Sequence, residues 1–279
     1  MTQLVKRRFI KALLLTSAFV GSSACSSLNM AVPEFESFTL VGELPTDFSS
    51  KITATYRASL RENCTRPFYS YGRGADVSKV NQHFAEFETE RNAQPQQIRQ
   101  KIPLNYKLEG CTLRLTSIYF KVVGHYGPDP EFDNYPSGGT LMVYDKRPEQ
   151  APPFPENGIL EVRGFCTWKF QTSSLNFGID KLLSCHTADE QWQVAEDFWE
   201  RRSIEVDVGR NELSGKTIRM EFRVNPEEKP SRDKNWIKFA EGWKLCSPKE
   251  GWQRCQEPPI FKTFKMNGRE CTVYPNCTE

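Results

Sequence analysis

The nine cysteines are the residues of this sequence with the widest range of chemistry open to them. Thiolates hold metals, act as nucleophiles and pair as disulfides. No two of the cysteines have the short C-x₂₋₄-C spacing of a zinc site, and His83, His125 and His186 are scattered along the chain. We therefore predict no metal site, and disulfide pairing becomes the main expected use of the cysteines.

Nucleophilic catalysis has little support among the other reactive residues. The chain contains neither a G-x-S-x-G nor an H-E-x-x-H motif, the patterns of two large hydrolase classes. His125 begins a turn-rich loop, but no partner motif near it would make it a general base. His186 directly follows Cys185 and is expected to be a loop residue beside a disulfide. We predict that the protein is not an enzyme and uses no cofactor.

The loop from His125 to Pro136 combines carboxylates with aromatic rings. Its acids alternate as in a calcium loop, but Asn134 stands where that loop needs glycine and Thr140 where it needs glutamate, so calcium is not predicted. Stiff loops of aromatic and acidic residues suit protein recognition; the alternative is a solvated connection whose rings cover the sheet. The partner-binding surface predicted here consists of Tyr126, Asp129, Glu131, Phe132, Asp133 and Tyr135.

Residues 1–24 have the organisation of an export signal. Lys6, Arg7 and Arg8 precede a stretch, residues 9–20, that is apolar except for Lys11. Such a stretch is too short to span a bilayer, which needs about 20 apolar residues. Removing the segment deletes four positive charges and changes the formal net charge from +2 to −2. A mature chain without a basic field excludes nucleic acid as the expected partner.

The end of this signal resembles that of bacterial lipoproteins, because the small residues 21–24 lead directly to Cys25. The resemblance implies cleavage before Cys25, a lipid on its thiol, and a periplasm-facing location. Ser26, and not Asp, follows the cysteine, which by the same resemblance implies the inner leaflet of the outer membrane. Two alternatives stay open: an ordinary small-x-Ala cleavage site, since Ser22 stands where Leu is usual, and twin-arginine export through residues 6–11.

If Cys25 carries a lipid, an even number of cysteines remains for disulfides in an oxidising compartment. The connectivity is open, and the last four cysteines could be nested. Short loops close most readily, so the simplest pattern is sequential. The pairs in that pattern are Cys64–Cys111, Cys166–Cys185, Cys246–Cys255 and Cys271–Cys277.

Alternation of apolar and polar residues predicts a mainly β protein. The clearest runs are residues 52–60, 102–108, 160–170, 204–208 and 218–224, and Glu109-Gly110 is expected to be a two-residue hairpin turn. The last two runs are expected to form a hairpin with each other. With 38% hydrophobic residues the chain can bury a core, and wholesale disorder is excluded.

Two helices are expected to interrupt the strands. The first would place Val77, Val80, Phe84 and Phe87 on one face after an N-cap at Asp76. The second would begin with a capping box at Thr187 and continue through residue 199. A proline-rich stretch around residues 148–155 separates the halves. We predict an α+β fold of two β-sandwich-like lobes, residues 35–147 and 158–279, each with one helix; one continuous sandwich is the alternative.

The signal ending at Cys25 and the cysteine-bearing tail from Phe261 through Arg269-Glu270-Cys271 to Cys277 resemble one class of lipoprotein. These are the lipid-anchored immunity proteins that bacteria encode beside type VI secretion effectors, lipase effectors in particular. The resemblance implies a protein partner, an incoming toxin whose active site is blocked, and no catalysis by the chain itself. An envelope assembly or scaffold lipoprotein is the alternative function, and an enzyme or small-ligand binder is the third.

Overall fold

The computed structural model describes residues 36–59, 64–126, 134–172, 179–197, 201–251, 254–266 and 269–273. The expected signal and lipidated tether, residues 1–34 with Cys25, lie outside this range. So does the middle of the predicted binding loop, residues 127–133.

Strands make up most of the described chain, as the alternation in the sequence predicts. Their bounds are β1 Ser37–Leu44, β2 Phe48–Ala58, β3 Thr65–Ser70, β4 Ala75–Val80, β5 Gln82–Thr89, β6 Gln96–Pro103, β7 Asn105–Leu108, β8 Cys111–His125, β9 Asn134–Tyr144, β10 Ile159–Thr172, β11 Ile179–Thr187, β12 Ile204–Gly209, β13 Thr217–Val224, β14 Lys229–Pro230, β15 Trp236–Phe239, β16 Gly242–Leu245, β17 Phe264–Met266 and β18 Arg269–Cys271. Two single-turn 3₁₀ helices lie at Arg210–Glu212 and Asp233–Asn235.

Two six-stranded sheets carry the fold. The first sheet has the order β11-β10-β13-β1-β6, with β14 also pairing with β10, and the second has the order β12-β9-β8-β2-β5, with β7 pairing with β8. β13 is parallel to both β1 and β10, and β12 is parallel to β9. The main-chain path passes from the first sheet to the second at buried Leu104, between β6 and β7.

One hydrophobic core joins the two sheets. Inward residues of the first sheet, such as Ile218 and Phe222, belong to the same buried cluster as Ile52 and Phe120 of the second. The Phe120 and Phe222 rings meet edge to face with centroids 6.2 Å apart. Every second residue of these strands is buried, which is the pattern of a sheet with one face on a core.

The expected hairpin turn at Glu109-Gly110 is confirmed. Both residues have positive φ, 50° and 81°, as the two central residues of a type I′ turn require. The turn joins β7 to β8 with Leu108 opposite Cys111.

Neither predicted helix forms. Residues 75–80 and 82–89 are the strands β4 and β5, and the shared face expected for Val77 and Phe84 does not exist because Asn81 separates the two strands. In the second case Thr187 is the last residue of β11 and its Oγ1 donates to the Ser203 carbonyl instead of capping a helix. Trp192, with φ of 62°, has a conformation that no right-handed helix admits.

The strand order does not follow the two expected lobes. Each large sheet contains strands from both 35–147 and 158–279, and residues from 35 onward form a single unit. The proline-rich stretch between the ranges is not an open linker, since Ala151 is buried and Phe154 packs against the core. The expected hairpin of β12 with β13 is also wrong, because the two strands lie in different sheets.

Three of the predicted disulfides are confirmed. Cys64–Cys111, Cys166–Cys185 and Cys246–Cys255 are bonded. Cys271 is disulfide-bonded too, and its expected partner, Cys277, lies outside the described residues. The bond between Cys166 and Cys185 links directly opposed residues of β10 and β11.

Candidate functional site

Only the ends of the predicted binding loop fall within the described chain. The Tyr126 ring meets Trp168 edge to face at 5.5 Å, and Lys181 Nζ lies 5.4 Å from the centre of the same ring. These contacts place the Tyr126 ring beside β10 and β11. The backbone of Tyr135, in β9, pairs with that of Gly124, in β8. Asp129, Glu131, Phe132 and Asp133 lie outside the described residues, and their role stays a prediction.

The three histidines are not brought together. His125 lies 2.9 Å from the Ser49 hydroxyl, measured from Nε2 to Oγ. His83 stacks on Tyr106 with ring centroids 3.8 Å apart, and His186 lies on β11, which belongs to the other large sheet. Within the described residues, no group of three or more His, Cys, Asp or Glu side chains could hold a metal ion. Nor does this part of the chain contain a helix long and apolar enough to cross a bilayer.

A Ser-x-x-Lys pattern at Ser231 and Lys234 matches a motif of serine acyl-transfer enzymes. Its geometry differs from the helix-borne arrangement that such chemistry uses. Ser231 donates its backbone N–H to the Phe170 carbonyl, and Asp233–Asn235 is a single 3₁₀ turn. Lys234 is exposed, so its ammonium is not enclosed in a site with Ser231.

The feature that stands out is the hairpin of β3 and β4, residues 65–80, which we call the finger. Its two strands pair with each other and with no other described strand, and no residue of either strand is buried. The finger nevertheless carries three aromatic side chains. Phe68 is 41% exposed, Tyr69 48% and Tyr71, at the tip, 92%.

The rings and charges of the finger are organised on its surface. Tyr69 and Tyr71 meet edge to face at 5.3 Å. The Lys79 ammonium lies 3.6 Å from the centre of the Phe68 ring, a cation–π contact that fixes both side chains. Arg66, Arg73 and Lys79 oppose a single acid, Asp76, so the finger is cationic. Its surface is therefore aromatic and basic in a chain whose formal net charge is only +2.

The base of the finger is firmly attached to the core. Cys64, just before β3, is bonded to Cys111 at the start of β8. Asn81, just after β4, is buried; its backbone N–H donates to the Cys64 carbonyl and its own carbonyl accepts from the Ala58 N–H. An isolated two-stranded hairpin is marginal in water. The disulfide and these hydrogen bonds hold the base of the finger against the second sheet.

An aromatic cluster lies beside this attachment. His83 and Tyr106 stack, and the Tyr106 ring lies 5.8 Å from that of Tyr56. Tyr56 is buried and donates its hydroxyl to the Pro103 carbonyl at 3.0 Å. Burial raises the pKa of Tyr56 to about 12. The support of the finger is thus a packed, hydrogen-bonded region, while its tip is free in solvent.

Sequence reasoning missed the finger because it placed residues 76–80 at the start of a helix and assigned no strand to residues 65–75. The signal that could have found it is Tyr71-Gly72-Arg73-Gly74 between two short polar and aromatic runs. Glycines at this spacing favour a turn, and Gly74 does adopt φ of 61°.

No protein-family model matches the chain, and neither a curated protein nor a solved structure matches it significantly.

Proposed function

We propose that this chain is a periplasm-facing lipoprotein that binds and neutralises a secreted effector toxin, with the finger as its principal contact. The single observation that carries the proposal is the finger itself. Exposing aromatic side chains to water is unfavourable. Such side chains are enriched on surfaces that become buried when a protein partner binds.

The physical properties of the finger suit insertion into a partner. Tyrosine and phenylalanine rings supply large contact areas with few rotatable bonds, so little entropy is lost on docking. Arg66 and Arg73 flank the rings, and their positive charges would complement an acidic groove on the partner. A disulfide-anchored base means that the finger enters as a preformed element, as an inhibitor that blocks an active site requires.

The rest of the fold supports the same proposal. Two sheets share one core, and disulfides cross-link the described chain, which is typical of proteins that work in an oxidising compartment. The lipid at Cys25 and the location at the inner leaflet of the outer membrane belong to the proposal and follow from the resemblance of residues 1–25 to lipoprotein signals. So does the class of partner, a type VI effector and a lipase in particular.

The test is survival of a strain that meets effector-armed siblings. Deletion of the gene should sensitise the strain, and a periplasmic copy of the wild-type chain should restore survival. A copy with Phe68, Tyr69 and Tyr71 each changed to Ser should not restore it. The matched control changes Tyr119 and Tyr144, which are also exposed but lie on the second sheet, and it should protect fully.

Two outcomes would count against parts of the proposal. If deletion leaves survival unchanged, immunity is excluded and the envelope scaffold becomes the better interpretation. If the finger variant protects as well as the wild type, immunity stands and the finger is not the contact. Purified effector from the adjacent gene should then be titrated against both variants by calorimetry, since loss of central aromatic anchors typically costs 2 kcal/mol or more of binding free energy, that is, roughly thirtyfold in affinity.

A further inference from the structure

A cavity of about 380 Å³ lies on the outer face of the first sheet. Its floor is formed by outward-facing residues of two paired strands: Phe165, Thr167 and Lys169 of β10, and Ser184 and His186 of β11. Residues 192–196, which follow β11, form one wall, and Arg201 closes the cavity beside them. The volume is at the small end of the range for small-molecule sites.

The charge lining this cavity is unbalanced. Lys169, Arg201 and Lys229 contribute positive charge, and Glu196, whose side chain is exposed, is the one carboxylate among the described lining residues. Lys169 is half-buried, and within the described residues its ammonium has no hydrogen bond or ion pair. Arg201 donates from Nε to the Ala195 carbonyl at 3.0 Å and from Nη2 to the Glu196 carbonyl at 2.8 Å. Those acceptors are neutral carbonyls, so neither hydrogen bond neutralises the charge of Arg201.

The two half-buried cations repel each other. Burial, and then the nearby Arg201 guanidinium, lower the pKa of Lys169. Burial, Lys169 and Arg201 also lower the pKa of His186, whose Nε2 lies 3.0 Å from the Ser184 hydroxyl. Like charges gathered in a concave site focus a positive potential into it. An anion placed between them would relieve the repulsion.

The wall of the cavity is held in place before any ligand arrives. Asp189 Oδ1 accepts from the backbone N–H groups of Gln191 and Gln193 at 2.9 and 2.8 Å. Trp192 adopts φ of 62°, and the Arg223 guanidinium lies 3.9 Å from the centre of its ring. A bulky residue in this backbone region persists only where its surroundings determine it, and such residues cluster at binding sites.

We propose that this cavity binds a small organic anion, with its carboxylate or phosphate group between Lys169 and Arg201 and its apolar part against Phe165 and Trp192. The proposal goes beyond toxin binding and is independent of it, because the cavity lies on β10 and β11 whereas the finger is attached to the start of β8. Carboxylate and phosphate share the recognition chemistry of these two cations.

The probes are phenyl phosphate, benzoate and the uncharged benzyl alcohol, each titrated into the purified mature chain by calorimetry. At least one of the anions should bind with saturation at one site, and benzyl alcohol should not. The anion that binds more tightly identifies the class. Lys169→Gln should weaken binding by about tenfold or more, as loss of a charge-assisted hydrogen bond does. Lys146→Gln, the same charge change at an exposed position just after β9, should leave binding unchanged.

A second measurement uses the unaltered sequence. Lysines are labelled by reductive ¹³C-methylation, and the NMR signal of Lys169 is assigned by its absence in Lys169→Gln or, should that variant not fold, in Lys169→Arg. A bound anion favours the charged amine, so the pKa of Lys169 should rise on saturation with the probe. Binding that moves other lysines and not Lys169, equal affinity in Lys169→Gln, or no binding of either anion at millimolar concentration would each overturn the proposal.

Discussion

The Cys64–Cys111 disulfide, with Cα atoms 5.9 Å apart, ties the residue before the finger to the first residue of β8. It closes a loop that contains the finger, β5, β6 and β7. Strands of both large sheets lie within that loop. One covalent bond therefore limits the unfolded-state freedom of a large part of the described chain.

Removing each disulfide should lower stability in the order of loop length. Loops of 47, 19 and 9 residues are closed by Cys64–Cys111, Cys166–Cys185 and Cys246–Cys255. Chain entropy alone gives about 4, 3 and 2.5 kcal/mol for these loops. Double Cys→Ala variants in urea unfolding provide the measurement. A larger loss for Cys246–Cys255 than for Cys64–Cys111 would contradict the entropic account.

Tyr56→Phe should cost about 1–2 kcal/mol, because the partly buried Pro103 carbonyl loses its hydrogen-bond donor. The control, Tyr71→Phe at the exposed tip of the finger, should change stability by less than about 0.5 kcal/mol. Thermal unfolding of both variants beside the wild type decides the matter. Equal effects of the two changes would show that the Tyr56 hydroxyl does not stabilise the fold.

The raised pKa of Tyr56 predicts that the fold loses stability in alkaline solution. Its folded pKa of about 12 lies above the unperturbed 10.0, so an unfolded chain loses the phenol proton first. The contribution of Tyr56 to stability is thus complete below pH 10 and is lost as the pH rises towards 12. Urea unfolding between pH 9 and 12 should show a smaller decline in Tyr56→Phe than in the wild type. Parallel declines would argue against the raised pKa.

Gly139→Ala should destabilise the second sheet severely. A Cβ at this position would overlap the Ile204 carbonyl oxygen of β12 and lie 2.5 Å from the Phe120 ring, and overpacking of this kind typically costs 1–3 kcal/mol or more. Gly72→Ala, where a Cβ would meet nothing within 4 Å, is the control and should be close to neutral. Circular dichroism melts of the two variants provide the comparison. A mild effect at Gly139 would mean that β9 and β12 can separate without loss of the fold.

His186 should make the fold sensitive to mild acid. Burial, Lys169 and Arg201 hold its folded pKa below the unperturbed 6.5, so protonation favours the unfolded chain. Its contribution to stability is present above pH 6.5 and is lost as the pH falls through the folded pKa. His186→Gln should lose less stability than the wild type between pH 7.5 and 5. Lys169→Gln should reduce the same slope, because it removes one of the two cations that oppose protonation.

Strand content could be predicted from the sequence because one face of each sheet is buried. Ile52, Ala54 and Tyr56 alternate with less buried neighbours in β2, and that period is visible without a structure. The turn at Glu109-Gly110 could be predicted because it depends on neighbours in sequence, and three disulfide pairs could be predicted because they follow the simplest sequential pattern. Which strands become partners could not, because parallel pairing joins distant residues and leaves no local signal.

The first of the two helices was predicted wrongly for a definite reason. Val77, Val80, Phe84 and Phe87 have helical spacing only because two strands are separated by one residue, Asn81. Phe84 points outward and is 49% exposed, which no core-facing helix would allow. The finger was missed for the same reason, because Val77 and Val80 belong to its strand β4 and were assigned to that helix. The cationic cavity depends on β10, β11 and a later loop, and no spacing rule brings these together.

The position of β13 has a consequence for how the chain can fold. β13 lies between β1 and β10 and pairs Thr217 with both Thr39 and Ile159. The strands on its two sides are therefore not joined in one sheet until β13, which comes late in the sequence, has paired with both. Until then β1 has only β6 beside it and exposes an unpaired edge, the kind that other chains can join. Contacts between residues so distant in sequence also slow folding. Refolding yield should therefore fall steeply as protein concentration rises, although the finished fold has β1 paired on both sides.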